Sequence, residues 1–303
     1  MTTTYSASGS RLITTIGRLS KIVKNTLTFF FLFQKGTTGL QRETSVLTTA
    51  NEGHEELSET ASSGKVWLVG FGPGDPELLT IKGYNLIKTA DIIFYDDLLN
   101  KEFLLRFRAE KVYVGKRKGN HSIEQAEINK LLYEAASVGK TVVRLKGGDP
   151  MIFAHGGEEI EYLRHRHIEV GVVPGITAAL AAAAFTQIPL TYRGTASSVS
   201  FITGHANREI QVPKSGTLVY YMGASNLQTI AKVVINKGWP ENTPVLLVYN
   251  VSGSDQEEYY TTLTDVITLT LNLKTPLIIV IGEVVGLKHK YTENNMELIY
   301  GVV

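Results

Sequence analysis

The chain has 303 residues, of which 43% are hydrophobic and 19% charged, and its net charge is +1. That length and balance fit a globular protein of two domains, and near-neutrality argues against the basic stripe of a nucleic-acid binder. Cysteine is absent, which removes disulfides, thiolate zinc sites, iron–sulfur clusters and a cysteine nucleophile; the seven histidines include no His-Glu-x-x-His pattern, so no metal site is expected.

Residues 1–63 stand apart from the rest. The first 42 positions hold six basic residues (Arg11, Arg18, Lys21, Lys24, Lys35, Arg42) and no acidic one. The apolar run Leu27–Phe33 is far short of the about 20 residues that a membrane span needs. The segment reads as a poorly ordered extension: a transit-like leader, the remnant of an upstream domain, or an extension from a misplaced start. The chain is expected in the cytoplasm, or in an organelle if residues 1–63 are a transit segment. Glu43–Gly64 is polar and small, as a linker is.

The folded part begins at Lys65. Val66-Trp67-Leu68-Val69 predicts a buried strand that runs into Gly70-Phe71-Gly72-Pro73-Gly74-Asp75-Pro76. This loop lacks the G-x-G-x-x-G spacing of a dinucleotide site, and Pro73 and Pro76 remove N–H groups that would cradle a phosphate. A helix over Thr80–Thr89 is expected to turn Ile81, Leu86 and Ile87 inward. Ile92–Tyr95 predicts a strand ending on Asp96-Asp97, which reads either as a turn cap or as a site.

Lys111–Val114 predicts the next strand. The loop after it, Gly115-Lys116-Arg117-Lys118-Gly119-Asn120-His121, is either a solvated charged turn or a seat for a polyanion. Ser122 and Gln125 are spaced as a capping box for a helix whose core stripe is Ile128, Leu131, Leu132 and Ala135, ending at Gly139.

Thr141–Leu145 predicts a buried strand leading into Lys146-Gly147-Gly148-Asp149-Pro150. Its glycines permit close backbone approach and its aspartate is placed to accept hydrogen bonds. Ligands in open α/β sheets sit beyond the carboxyl ends of strands, so this loop reads as a binding floor or as a tight turn. Glu158, Glu159 and Glu161 fall in the first turns of a helix opened by Gly156-Gly157, where the helix dipole favours acids. Val170–Val173 is a strand and Thr177–Phe185 an alanine-rich helix. Strand and helix alternate to this point, which predicts a parallel sheet covered on both faces.

Pro189–Gly194 breaks the pattern and reads as a hinge into a second α/β domain, dividing the folded part into 64–188 and 189–303. In that domain Ser198–Thr203, Leu218–Tyr221, Pro244–Val248 and Pro276–Ile281 are expected strands, and Ser225 is expected to cap a helix carrying Leu227, Ile230, Ala231 and Val234. A cleft between two such domains is a frequent place for a small molecule.

Taken in order, Val69–Thr80, Tyr95-Asp96, Val114–Arg117, Val142–Pro150, Gly156–Glu159, Val173–Ala179, Ile188–Thr191 and Tyr221–Gly223 resemble the motifs of the S-adenosylmethionine-dependent tetrapyrrole methylases. The match covers about three quarters of the chain. The resemblance implies a two-domain α/β methylase fold, a homodimer, and S-adenosylmethionine in the interdomain cleft with no metal. It implies methylation of uroporphyrinogen III at C2 and C7 to precorrin-2, for siroheme or cobalamin. Siblings acting on later corrin precursors, on diphthamide or on ribosomal RNA ribose share the fold, but the Val-Gly-Lys-Arg and Leu-Lys-Gly-Gly-Asp-Pro stretches favour the early porphyrinogen step. A module that only binds a ligand is the reading from another class, and retention of Asp96 and Lys116 argues against it.

By position, the implied cofactor contacts are Pro73, Gly147, Gly148, Asp149, Ile152, Thr177, Ala178, Met222 and Val251. The family's proton acceptor falls on Asp96 and its proton donor on Lys116. Substrate carboxylates would meet Arg117, His121, Tyr192 or Arg193. The chain departs from the family pattern at His155 and Asp97, where arginine is common, at Tyr192, where histidine is usual, and at Val251, where glycine is usual. Val251 can still offer its backbone, with a Cβ expected to narrow the cleft. The departures bear on substrate affinity more than on cofactor binding.

Overall fold

The computed structural model describes residues 64–97, 99, 101–115, 124–205, 207–268 and 273–288. These fall in one compact unit, Glu59–Val303, built on two five-stranded sheets. Residues 1–63, and with them the expected leader, lie outside the described residues, as does the basic loop 116–123.

The first sheet comprises β1 (Lys65–Gly72), β2 (Ile92–Tyr95), β3 (Glu110–Tyr113), β4 (Val142–Gly147) and β5 (Glu169–Val173) in the order β3-β2-β4-β1-β5. All four pairings are parallel, as the alternation of strands and helices predicts. Alternate side chains enter opposite cores, which is why the strands read as continuous apolar runs. Val69, Phe71, Ile93, Val143 and Leu145 join Ile87 of α1 (Ile81–Thr89) and Phe103 and Leu104 of the short α2 (Lys101–Leu104). Val66, Leu68, Ile92, Phe94 and Val142 join Ile128, Leu132 and Ala136 of α3 (Gln125–Ser137) and Leu163 of α4 (Gly156–Arg164).

The second sheet comprises β6 (Val199–Thr203), β7 (Thr217–Tyr221), β8 (Pro244–Tyr249), β9 (Glu257–Thr262) and β10 (Leu277–Ile281), ordered β6-β7-β10-β8-β9. Only β6 and β7 are parallel; the other pairs are antiparallel. One face carries α6 (Leu227–Asn236) and α7 (Leu263–Thr268) through Leu227, Ile230, Val234, Leu263 and Val266. The other face receives α5 (Ala178–Thr186), whose Ala179, Ala181 and Ala182 pack with Val219, Leu246, Val248 and Ile278. Small side chains let this helix, which follows directly from the first sheet, lie close against the second. Among the described residues, no helix is long and apolar enough to cross a membrane.

Several local expectations are corrected. Ile81 is 82% exposed, because it opens α1 on the turn that faces away from Ile87. The N-cap of α3 is Glu124, and Ser122, expected there, lies outside the described residues. Gln125 turns its amide to Asn129 and Glu159 instead of closing a box. Ser225 falls inside a 3₁₀ turn, Ala224–Asn226, and Asn226 precedes α6 without a side-chain cap bond. β9 and α7 were not foreseen, because Glu257-Glu258-Tyr259-Tyr260 carries no apolar alternation.

Candidate active site

Loops leaving three adjacent strands, β4, β1 and β5, meet at the C-terminal edge of the first sheet, and the meeting depends on glycine. A Cβ on Gly175 would lie 2.2 Å from the Gly148 carbonyl oxygen and 2.7 Å from Gly70 Cα; one on Gly70 would lie 2.5 Å from the Gly175 nitrogen. Gly148, at φ +66°, exchanges backbone hydrogen bonds with Gly72 at 2.7 and 3.2 Å. Asp149 then fastens the floor: Oδ1 accepts from the Met151 N–H at 2.8 Å and Oδ2 from the Gly175 N–H at 2.9 Å. The expected acceptor role is met within the protein, tying the β4 loop to the β5 loop.

The second sheet closes the site from the other side. The Asp75 N–H donates to Ser252 Oγ at 3.1 Å, joining the proline-glycine loop after β1 to the turn after β8. A Cβ on Gly74 would sit 3.8 Å from the Val251 carbonyl oxygen. Val251 is 5% exposed and belongs to the core cluster that holds Val248 and Ile278, with its carbonyl oxygen toward the loop after β1. At the end of β7 the Tyr221 hydroxyl lies 2.8 Å from Thr177 Oγ1 and accepts from the Ala179 N–H at 3.3 Å. An N–H orphaned at the start of α5 is thereby satisfied from the other sheet. Burial pushes the Tyr221 phenol up from its ordinary value.

Among the residues the motifs single out, these contacts bring together Gly148, Asp149, Thr177 and Ala178. Gly148 lies against Thr177 and Ala178, with a Cβ position 3.7 Å from Thr177 Cα. Thr177 touches Tyr221, the Phe153 ring packs against Tyr221 at a tilt of 55° with ring centres 5.0 Å apart, and Met222 follows Tyr221 in the chain. Met222 and Phe153 are non-glycine residues at φ +56° and +52°, and their side chains are 50% and 43% exposed. Left-handed backbone of this kind costs energy and clusters where a ligand is gripped. The groups around these contacts are backbone amides and carbonyls, with the exposed Met222 and Phe153 beside them.

Beside this floor, β2 ends on Asp96, whose carboxylate is 3.5 Å from Arg144 Nη2 and a quarter exposed. The two aspartates divide: Asp97 takes Lys101 at 3.1 Å and the Tyr113 hydroxyl, and anchors the local turn. Sequence reasoning missed what stands behind Asp96. Arg144 and Lys146 share one face of β4, and both are buried against Glu159. The signal was available: two cations on alternate residues of an apolar strand require a carboxylate. Burial and the Arg144 charge hold the Lys146 ammonium below its ordinary 10.5, against the opposing pull of Glu159.

Tyr192 and Arg193 sit on an exposed turn closed by the Tyr192–Ala196 bridge, and among the described residues no hydrogen bond ties that turn to the glycine loops. His155 pairs with Glu158 at 2.9 Å. Lys116, Arg117 and His121 lie outside the described residues.

The family model for tetrapyrrole (corrin/porphyrin) methylases matches residues 65–267. A uroporphyrinogen-III C-methyltransferase of Methanocaldococcus jannaschii is 46% identical over 236 residues, 74% of this chain and 98% of that protein. A siroheme synthase of Psychrobacter cryohalolentis is 43% identical over 253 residues, 80% of this chain; the chain spans 48% of that relative's length. Among solved structures, the uroporphyrin-III C-methyl transferase of Thermus thermophilus complexed with S-adenyl homocysteine superimposes with a TM-score of 0.66 and 38% identity, over 74% of this chain and 100% of that one. With the family model matching residues 65–267 and a methyltransferase relative matched along 98% of its length, this chain belongs to the tetrapyrrole methylases.

Proposed function

We propose that the chain is a uroporphyrinogen-III C-methyltransferase, which moves methyl groups from S-adenosylmethionine to C2 and C7 of uroporphyrinogen III and releases precorrin-2. The likeness to the Methanocaldococcus enzyme along nearly all of that enzyme's length carries this reading. The cofactor site is assigned to Pro73, Gly147, Gly148, Asp149, Ile152, Thr177, Ala178, Met222 and the Val251 backbone. When bound, S-adenosylmethionine supplies a methyl group already activated as an electrophile.

The chain's own residues do the remainder. The Gly148 and Thr177–Ala178 backbone holds the nucleoside, while the exposed Phe153 and Met222 shield the transfer path from water. A pyrrole carbon forms the new bond to carbon as the methyl–sulfur bond breaks, and the macrocycle must then lose a proton. Asp96, on the strand end beside the glycine floor, is assigned as its acceptor. General-base help of this kind contributes roughly 10²–10⁴-fold. Lys116 is assigned as the proton donor, and Arg117, His121, Tyr192 and Arg193 as partners of the substrate's carboxylates. The two α/β halves, 64–188 and 189–303, are read as the two domains of a homodimeric methylase, and the product as a precursor of siroheme or cobalamin.

The purified chain, incubated without oxygen with uroporphyrinogen III and S-adenosylmethionine, should give a product two methyl groups heavier by mass spectrometry. Unchanged substrate would remove the assignment.

A further inference from the structure

Four charged side chains form a connected array under the C-terminal edge of the first sheet. Glu159 is fully buried, and Arg144 and Lys146 are 4% and 3% exposed. Glu159 Oε1 receives Lys146 Nζ at 2.7 Å, Gln125 Nε2 at 3.1 Å and Arg144 Nε at 3.4 Å. Its Oε2 has no hydrogen-bond partner among the described residues. The far edge of the same guanidinium, Nη2, faces Asp96 Oδ2 at 3.5 Å. Two cations and two carboxylates sum to zero, with Asp96 the member that reaches solvent.

The elements that enforce this are rigid. Arg144 and Lys146 are on β4, the central strand between β2 and β1. Glu159 projects from the first turn of α4 and Gln125 from the first turn of α3, both packed on that face. A buried ion array is weak evidence for stability, because desolvation consumes most of the Coulomb gain. What it provides is direction. The guanidinium is held at two points, Nε by Glu159 at 3.4 Å and Nη1 by the Leu145 carbonyl at 2.9 Å, and with both in place Nη2 stays facing Asp96.

We infer that Glu159 is a positioning residue for the methylation. By clamping the Nε edge of Arg144, with Lys146 balancing its charge, it fixes the guanidinium that orients the Asp96 carboxylate. This rests on the proposed reaction and on Asp96 as its proton acceptor.

The test is a double-mutant cycle on the full chain. Glu159→Gln should lower kcat by about tenfold, while the KM for uroporphyrinogen III and the affinity for S-adenosylhomocysteine stay within about twofold. In an Asp96→Asn background, Glu159→Gln should cost nothing further, because the base it orients is already gone. Glu159→Gln leaves one buried cation in excess, so Glu159→Gln/Lys146→Met is made alongside it to restore charge balance. That double variant should bind S-adenosylhomocysteine as the wild type does and still turn over slowly. Wild-type kcat in either variant overturns the inference, as do losses that multiply across the cycle. Failure of both variants to bind S-adenosylhomocysteine also overturns it, since the array would then be holding the fold. A wild-type protein that transfers no methyl group defeats the proposed function instead, and an active wild type with an unaffected Asp96→Asn defeats the base assignment.

Discussion

The hydroxyl of Tyr221, at the end of a strand in the second sheet, lies 2.8 Å from Oγ1 of Thr177, the residue that opens α5 beyond the first sheet. One side chain thereby caps a helix that begins on one sheet and packs on the other, and it does so beside Gly148 and Met222. Tyr221→Phe should lose about 1 kcal/mol of stability in urea unfolding, the net worth of a hydrogen bond, and leave Thr177 less firmly held. Calorimetry should show S-adenosylhomocysteine binding weakened, since Thr177 and Ala178 line its assigned seat. Unchanged affinity would separate the cap from the ligand.

Gly175→Ala tests the convergence of three backbones. Its Cβ would fall 2.2 Å from the Gly148 carbonyl oxygen and 2.7 Å from Gly70 Cα, where only main chain could yield. The expected loss is about 1–3 kcal/mol or more, with donor binding abolished as the floor is forced apart. A variant with wild-type stability and affinity would show that the loops are not packed as described.

Asp96→Asn keeps the shape of the side chain and removes its basicity. Turnover should fall by about tenfold or more, with S-adenosylhomocysteine affinity unchanged, because Asp96 belongs to the proton step and not to the donor's seat. Steady-state kinetics beside a binding isotherm separates the two effects.

Lys146 gives a pH signature in stability. Burial lowers its pKa below the ordinary 10.5, so the folded chain sheds this proton before the unfolded chain does. Below the folded pKa both states are charged and the full cost of burial is borne. As pH rises through the folded pKa toward 10.5, the unfolded state holds more protons and the wild type gains stability. Urea unfolding of wild type and Lys146→Met should therefore show the wild type improving relative to the variant across that window, by at most about 1.4 kcal/mol per pH unit. A constant difference would mean that the lysine titrates at its ordinary value.

The parallel sheet was readable because its strands are uninterrupted apolar runs separated by helices with a clear stripe, and the glycine-rich loops at their ends were readable from composition. Less legible was anything made by two distant segments. Gly147 and Gly148 read as glycines free to approach a ligand, but nothing in the sequence told that Gly70 and Gly175 lie backbone against backbone beside them. Glu159 read as one of three acids favoured by a helix dipole; only the fold shows it buried between Arg144 and Lys146. The helix over Ala178–Thr186 was clear in itself, but nothing in its alanines told which sheet it would cover. Ile81 and Ser225 failed for local reasons: Ile81 opens α1 on its exposed side, and Ser225 falls one residue short of the helix boundary at Asn226.

The account is tested most directly by following an isotopically labelled methyl group. Uroporphyrinogen III treated with methyl-labelled S-adenosylmethionine and the purified chain should yield a product whose NMR spectrum shows two labelled methyls, one on C2 and one on C7, with two equivalents of S-adenosylhomocysteine formed. Label absent from the tetrapyrrole, or placed on other carbons, would contradict it.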